Sequence, residues 1–457
     1  MKDVNIFVEF GATNVHPIAI ALMASLVVLA FFPKRSAALF SVLFVCVFMH
    51  EHQRIVIGGL DFSMLRLIVI VAWIRVLVRG EYRGLRLGRL DRLVVLYLLS
   101  ALFFYVLRVG PSAIAYRLGV FFDAFTAFFL IRSLVRTRND VLVFWRQVAW
   151  FGLLLAPFML YEFVTRHNLF GVLAYGGFQP VEIRDGSPRV QGPWSHPIMA
   201  GTFGSVIVPV FIAVLLARKN QRLLFGSACI AATIIVLTSG SSGPVVALVV
   251  GALGWGLWGF RRHTRRMLRV AIVAAVVIHF VREKPIWHLM TRLSHLTGGT
   301  GDHRYRLIDA FVWNFGEWAL MGVNNTAHWG LGLNDTTNQY VVEGIGGGIV
   351  TLFLFLTMLA VAFVGLRQAR KLLEGLSGPK SLPALLAWGS SVSLAAHCVS
   401  FISVSYFGQI LQFFFFFLAT LPALGRVGRP QRVTAPARPP AGRVSRERSH
   451  VATQSRV

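Results

Sequence analysis

Apolar runs separated by short polar segments recur along the whole chain. Each run approaches the roughly 20 residues that a helix needs to cross a hydrocarbon core of about 30 Å. The runs lack the alternation of membrane β-strands, and a lipid-facing backbone must satisfy its own hydrogen bonds, so the pattern predicts helices. The predicted spans are residues 15–32, 37–50, 62–79, 93–108, 117–133, 144–163, 197–216, 223–238, 243–260, 268–281, 340–366, 382–401 and 404–424.

Arginine and lysine are concentrated in every second gap between these runs, and in the tail. Cytoplasmic loops carry an excess of basic residues, so this side is predicted to be the cytoplasm. The sequence therefore predicts an all-α, polytopic membrane protein with about 12–13 transmembrane helices, its N-terminus outside and its C-terminus inside. The clusters are Lys34/Arg35, Arg79/Arg83/Arg86/Arg89/Arg92, Arg132/Arg136/Arg138, Arg218/Lys219/Arg222, Arg261/Arg262/Arg265/Arg266/Arg269 and Arg367/Arg370/Lys371/Lys380.

Composition supports a membrane protein and changes the meaning of the charge. Of the 457 residues, 56% are hydrophobic and only 14% are charged, against about a quarter in soluble proteins. The net charge of +26 would suggest nucleic acid on a soluble surface, but here it lies in loops, so no nucleic-acid partner is expected. Cys46, Cys229 and Cys398 show no metal or disulfide spacing. The first run lacks a cleavage site and is expected to be retained.

Two segments are much longer than the other loops, at 164–196 and 282–339, and both fall on the side opposite the basic clusters. Long loops on a helical scaffold often carry function. We therefore predict a membrane domain over residues 1–425, and a disordered basic cytoplasmic tail over 426–457. The tail either fixes topology or attracts anionic membrane lipids.

The first long loop ends in RVQGPWSHPIMAG, just outside an apolar run. The guanidinium groups of Arg184 and Arg189 suit phosphate oxygens of a pyrophosphate-headed lipid. Alternatively, Arg184 pairs with Glu182 or Asp185 and Arg189 is simply hydrated.

Trp194 and His196, in the same motif, are candidates for stacking on sugar or hydrogen bonding to it. The alternative for Trp194 is an anchor at the membrane interface.

The second long loop contains GGTGDHRYRLIDAFVW, a glycine-rich stretch followed by a predicted helix with Asp302 as its N-cap. A helix start favours anions, so Arg304 and Arg306 in its first turns would reinforce a phosphate site, with His303 beside them.

The segment NDTTNQYVVEGIGGG opens a later apolar run. Ionisable groups inside a membrane are costly and often functional, which makes Glu343 the candidate for a general base, or for an anchor that orients a sugar hydroxyl or an arginine, with Asn338 a polar candidate beside it. The alternative for Glu343 is an ion pair with a loop arginine. Asp123, which interrupts another run, is expected to pair with an arginine of a neighbouring helix. The spacing of His50 and His52 does not favour a metal site.

In this order, RVQGPWSHPIMAG, LTSGSSGPVVAL, the arginine-bearing segment of the second loop and TNQYVVEGIGG resemble the O-antigen ligase and O-antigen polymerase superfamily. The resemblance covers residues 60–425. It implies a bacterial inner-membrane enzyme that transfers sugar chains from undecaprenyl pyrophosphate at the periplasmic face. The implied chemistry is metal-independent and inverting, of the GT-C kind, without a cofactor.

Carried over from that family, Arg189 matches the first-loop arginine and either Arg304 or Arg306 matches the second. Two departures matter. Ser242 stands where the family often has arginine, and Thr337 stands where ligase-like members have histidine. Because threonine is no base near neutral pH, a polymerase for exopolysaccharide or O-antigen is favoured over a ligase that acts on lipid A core, and Glu343, His303 or His196 would supply any base.

Two alternatives of another class remain open, a glycolipid flippase without chemistry and a membrane scaffold for other polysaccharide-assembly proteins. The expected partners are the undecaprenyl-pyrophosphate-linked glycan, membrane lipids and such assembly proteins.

Overall fold

Helices form at every predicted apolar run. The computed structural model describes residues 13–175, 179–184, 186–282, 284–289, 291 and 301–426. The chain is an all-α polytopic membrane protein, as the sequence predicts. The tail beyond residue 426, the Gly298–Thr300 stretch and Asp185 lie outside the described residues.

The described α-helices are α1 (Pro17–Ala30), α2 (Arg35–Phe48), α3 (Met64–Val78), α4 (Arg89–Val109), α5 (Ile114–Leu134), α6 (Arg138–Thr165), α7 (Leu169–Tyr175), α8 (Pro197–Ala217), α9 (Arg222–Thr238), α10 (Ser242–Gly256), α11 (Thr264–Val281), α12 (Gly301–Trp313), α13 (Phe315–Trp318), α14 (Gln339–Ser377), α15 (Leu382–Ser403) and α16 (Gly408–Leu424). Within the described residues, 8 helical segments are long and apolar enough to cross a membrane, and α1, α2 and α16 are shorter apolar helices.

Strands are confined to three short antiparallel pairs in the described chain. They are β1 (Arg54–Ile57) with β2 (Leu60–Ser63), β3 (His167–Asn168) with β4 (Gln179–Pro180), and β5 (Glu182–Arg184) with β6 (Ser187–Arg189). The last two pairs belong to the first long loop.

Helix α8 lies at the centre of the bundle, packed by α9, α10 and α15. Its most apolar window is 89% buried. Gly204 permits this packing, since a Cβ atom there would lie 2.7 Å from the carbonyl oxygen of Ala232 on α9. The RVQGPWSH motif is therefore followed directly by α8, the most buried of the membrane-spanning helices.

Two acids inside the bundle are paired with arginines of neighbouring helices. Asp123 on α5 accepts two hydrogen bonds from Arg66 on α3, at 2.8 and 2.7 Å, which confirms its predicted pairing. Asp91 on α4 binds Arg132 on α5 at 2.6 Å, and both side chains are buried. Such pairs lower the cost of placing ionised groups away from water.

Helix α14 is interrupted near its outer end, where Gly347 and Gly348 leave helical geometry and Gly348 has φ of 68°. Arg108 at the end of α4 donates to the freed carbonyl oxygens of Ile345 and Gly346, at 2.8 and 3.2 Å. The same guanidinium donates to Asn324 Oδ1 at 2.7 Å. Through Arg108, the second long loop is hydrogen-bonded to α4 at the point where α14 is interrupted.

Candidate functional site

A cavity of about 1190 Å³ lies where the two long loops meet at one end of the bundle. Helices α8, α10 and α14 begin beside it, and α9 and α15 end beside it. Its lining residues include Arg184, Arg189, His196, His303, Arg304, Asn334, Asp335 and Thr337, with Leu237, Val245 and Phe407 as apolar members. We call it the outer cavity, because strict alternation of the spans places it opposite the basic clusters.

The β5–β6 hairpin supplies the first two arginines. Its register pairs Glu182 with Arg189, and Arg184 with Ser187. The backbone N–H of Val190 donates to Thr238 O at 3.1 Å, which fixes the hairpin against the end of α9. Gly240, with φ of +55°, allows this contact, since a Cβ atom there would lie 3.0 Å from Arg189 Cγ.

Arg189 is buried, with only 4% of its surface exposed. Its Nη1 donates to both carboxylate oxygens of Glu182, at 2.7 and 2.8 Å, and its Nη2 donates to Ser241 Oγ at 3.1 Å. Its Nε has no hydrogen-bond partner among the described residues. Arg189 is therefore paired and buried, so the alternative in which it is simply hydrated was wrong.

Arg184 lies at the exposed rim, 3.4 Å from the same carboxylate of Glu182. This contact is the alternative predicted for Arg184. Because Glu182 is 45% exposed, water and a ligand can both reach the shared carboxylate.

The PWSHP turn is held from below by Glu162, near the end of α6. Its carboxylate accepts hydrogen bonds from the backbone N–H groups of Gln191 and Gly192, both at 3.0 Å. Trp194 is 2% exposed, packs on Phe203 with ring centroids 5.2 Å apart, and does not line the cavity. The structure thus places Trp194 in the packing beneath the turn.

His196 lines the cavity and is the N-cap of α8, where its Nδ1 accepts from Ile198 N at 3.2 Å. Burial, followed by the positive charge of Arg189, lowers the pKa of this imidazole from its ordinary value of 6.5. His196 is therefore neutral near pH 7. With Nδ1 accepting, Nε2 carries the proton, so this side chain is a hydrogen-bond donor to a ligand.

Helix α12 contributes His303 and Arg304 from the second long loop. Arg304 Nε is buried and lacks a partner among the described residues. Burial and the nearby Arg184 lower the pKa of the Arg304 guanidinium, which remains far above neutrality. An arginine in this setting has donor capacity available for an anion.

Arg306 differs from Arg304, since it does not line the cavity and pairs with Asp302 at 2.9 Å. Asp302 lies in the first turn of α12, which is described from Gly301, so its predicted role as the N-cap was wrong. Of the two candidate arginines of the second long loop, Arg304 lines the cavity and Arg306 does not.

The start of α14 adds polar groups. Thr337 lines the cavity, and its buried Oγ1 has no partner among the described residues. Asn338 instead caps α14, accepting from Val341 N at 3.2 Å and donating to Ile402 O at 3.2 Å. Asn338 is outside the cavity lining.

Glu343 is also outside the cavity lining, one turn further into α14. It accepts hydrogen bonds from Tyr97 Oη at 2.7 Å and Gln339 Nε2 at 2.6 Å. The expected alternative, an ion pair with a loop arginine, is not what this residue makes. Its position links α4 to α14.

The two imidazoles of the cavity are chemically distinct. His303 Nε2 lies 3.0 Å from the carbonyl oxygen of Asp335. That contact requires a proton on Nε2, which leaves Nδ1 of His303 as an acceptor. His303 is thus the cavity side chain suited to accept a proton, and His196 is suited to donate a hydrogen bond.

Sequence reasoning missed several groups at this site. Ser241 and Thr337 stood in quoted motifs but had no assigned role, and Glu162 was not singled out at all. Only the fold shows that Ser241 bonds Arg189 and that Glu162 holds the turn. Among the described residues, no cluster of three or more His, Cys, Asp or Glu side chains is arranged to hold a metal ion.

Comparison with known proteins adds nothing to this geometry. No family model matches the chain, and no curated protein matches it either.

Proposed function

We propose that the protein transfers undecaprenyl-pyrophosphate-linked oligosaccharide at the outer face of a bacterial inner membrane, as a metal-independent inverting glycosyltransferase. The single supporting observation is the convergence of Arg184, Arg189 and Arg304, from two loops far apart in sequence, on the outer cavity. Asp335 is the only carboxylate side chain in the described lining, and Glu182 is shared by Arg184 and Arg189, so the three arginines exceed the two acids beside them. A diphosphate is the complementary ligand class.

The shape of the cavity supports a large amphiphilic substrate. Typical small-molecule pockets measure about 300–1,000 Å³, and this one reaches about 1190 Å³. Leu237 and Phe407 combine cavity lining with exposed apolar surface, 60% and 42% respectively. They offer a path for a prenyl chain, while the arginines take the diphosphate.

The chemistry follows from charge development. As the glycosidic bond to the carrier breaks, negative charge accumulates on the departing diphosphate. Preorganised guanidinium groups stabilise that charge more in the transition state than in the ground state. In this proposal His303 Nδ1 accepts the proton of the attacking sugar hydroxyl, and His196 donates a hydrogen bond to the substrate; the lining position of both side chains supports these roles.

Of the two reactions in this class, we favour polymerisation over transfer to lipid A core, because Thr337 occupies a cavity position that the ligase resemblance would fill with histidine. Cells lacking a polymerase accumulate single repeats on the carrier, whereas cells lacking a ligase accumulate long carrier-bound chains. The glycolipid that accumulates without this protein distinguishes them.

The matched pair Arg304→Gln and Arg306→Gln tests the proposal. The two residues lie two positions apart on α12, but only Arg304 lines the cavity. We expect Arg304→Gln to lower the rate of chain extension about a hundredfold, as removal of one oxyanion-type contact does, and Arg306→Gln to leave it nearly unchanged. Glycan length distributions at equal protein abundance give the readout. Normal ladders in both variants would argue against catalysis at this cavity.

A further inference from the structure

A second cavity, of about 670 Å³, lies at the opposite end of the bundle. We call it the inner cavity. Helix α16 begins one residue after Phe407, which lines the outer cavity, and ends beside the inner one at Leu421–Arg426. A helix of 17 residues spans about 25 Å. The two cavities are thus separated by roughly the thickness of a membrane core.

The inner cavity has a cationic rim made by Arg86, Arg89, Arg132 and Arg426. Asp91 is the only acidic residue in its described lining, and its carboxylate is already bonded to Arg132 at 2.6 and 3.1 Å and to Gly88 N at 2.6 Å. The rim therefore has more positive than negative charge.

No protein group in the described chain balances this excess. Arg86, Arg89 and Arg426 make no ion pair with a described acid. Arg132 is 1% exposed, and its Nη1 has no partner among the described residues. The sequence that follows Arg426 has a single acid, Glu447, among seven arginines, so it adds more positive than negative charge.

The positive charges also act on each other. Burial, Arg132 and Arg86 lower the pKa of Arg426, and Asp91 opposes this effect. Arginines gathered against their own repulsion are typical of phosphate sites.

The remaining wall of the cavity is apolar and belongs to the membrane helices. Val361, Val364 and Leu372 of α14 and Leu421 of α16 line it. Val364 and Leu372 are each a little under half exposed. A ligand with a phosphate at one end and hydrocarbon at the other would match both parts.

We propose that the inner cavity binds an anionic glycerophospholipid, with its phosphate on Arg86, Arg89, Arg132 and Arg426 and an acyl chain along the α14–α16 wall. Basic pockets between helices on the cytoplasmic side commonly bind such headgroups. This site is independent of the proposed transfer reaction.

The chain offers a matched pair for the hydrocarbon half of the site. Gly365 lines the cavity, and a Cβ atom there meets nothing within 4 Å, so Gly365→Leu adds a side chain to the wall with open space at its Cβ. Gly375 lies on the same helix, is equally open and is not in the lining. Gly375→Leu is therefore the control for a leucine on α14.

The headgroup half has a second matched set. Arg86 and Arg426 are rim residues outside the buried pair, so the double variant R86Q/R426Q preserves the Arg132–Asp91 contact. Arg92 is an exposed arginine on α4 that does not line the cavity, and R92Q controls for loss of surface charge.

The test uses the full chain in detergent and measures binding of phosphatidylglycerol, phosphatidylcholine and inorganic phosphate by native mass spectrometry and thermal stabilisation. We expect selective binding of phosphatidylglycerol, with affinity reduced about thirtyfold in R86Q/R426Q and also reduced by Gly365→Leu. R92Q and Gly375→Leu should bind like the unmodified protein.

The proposal would be overturned by equal binding of the zwitterionic lipid, by full occupancy with inorganic phosphate alone, or by the same loss of affinity in R92Q as in the double variant. A polyprenyl phosphate that displaces phosphatidylglycerol at equal concentration would assign the cavity to another lipid, and would overturn it too.

Discussion

Two buried arginines, Arg189 at the outer end of the bundle and Arg132 at the inner end, have similar surroundings and different partners. Both bind one carboxylate, and both keep one nitrogen without a partner in the described chain. The partner of Arg132 is Asp91, which is fully buried, whereas Glu182, the partner of Arg189, is 45% exposed.

This difference separates a pair whose acid is held by burial from a pair whose acid an incoming anion can displace. Asp91 also accepts from Gly88 N at 2.6 Å, so water and ligands cannot replace it without opening α4. Glu182 reaches solvent and shares its carboxylate with Arg184, so a diphosphate can compete for both arginines. Exposure of the acid, more than burial of the arginine, indicates where an anion can displace the carboxylate, whereas an anion at Arg132 would have to use Nη1, the nitrogen that has no partner in the described chain.

The largest expected effect on stability comes from removing Asp91, the acid at the inner end of the bundle. Asp91→Asn leaves Arg132 buried without its counter-charge, and we expect a loss of about 3–5 kcal/mol in the free energy of unfolding. Asp61→Asn removes the acid of an equally short pair, with Arg54 at 2.6 Å, but Asp61 is 38% exposed. That variant should lose about 1 kcal/mol or less. Equal losses in denaturant unfolding of the two variants would remove the distinction.

At the outer end of the bundle we expect a larger effect on activity from Arg189→Gln than from Arg184→Gln. Arg189→Gln should slow glycan extension about a hundredfold while the protein remains folded, because its acid partner stays hydrated. Arg184→Gln, at the exposed rim, should slow it several-fold at most. The comparison is made on glycan ladders, with protein abundance and melting temperature as controls. An unfolded Arg189→Gln protein would place this pair in the same structural class as Arg132–Asp91.

The smallest effect concerns the cap of α8. His196→Ala removes the acceptor for Ile198 N and should cost about 1 kcal/mol, whereas His196→Asn keeps a capping acceptor and should cost less.

The same residue gives a pH dependence. Because the folded-state pKa of His196 lies below its ordinary value of 6.5, the unfolded chain binds more protons in that window. The His196 contribution to stability is present above pH 6.5 and is lost as the pH falls through the folded-state pKa. His196→Asn should therefore lose less stability between pH 7 and pH 5 than the unmodified protein. Identical pH profiles in the melting temperature would contradict this assignment.

The fold was largely predictable because lipid imposes a simple rule. Apolar runs of sufficient length must become helices, and every predicted run contains one. The interruption of α14 at Gly347 and Gly348 was not predicted, because it depends on Arg108, which is more than two hundred positions away and satisfies the freed carbonyl groups.

The site was predictable only in part. Arg189 and Arg304 could be singled out, since an arginine beside an apolar run needs a reason to be there. The pairing of Arg189 with Glu182, and the meeting of the two long loops at one cavity, depend on long-range packing, which a linear motif does not encode. Glu343 stood out for the same reason as the arginines, yet its partners are Tyr97 and Gln339, and it lies outside the cavity.

The central claim is that the outer cavity binds a diphosphate through arginines of both loops. The most direct measurement compares binding of a polyprenyl diphosphate and the corresponding polyprenyl alcohol to the purified protein, its Arg304→Gln variant and its Arg306→Gln variant. We expect the diphosphate to bind more tightly than the alcohol, with this preference reduced about tenfold or more in Arg304→Gln and preserved in Arg306→Gln. Equal affinity for the two lipids, or an equal reduction in the two variants, would contradict the account.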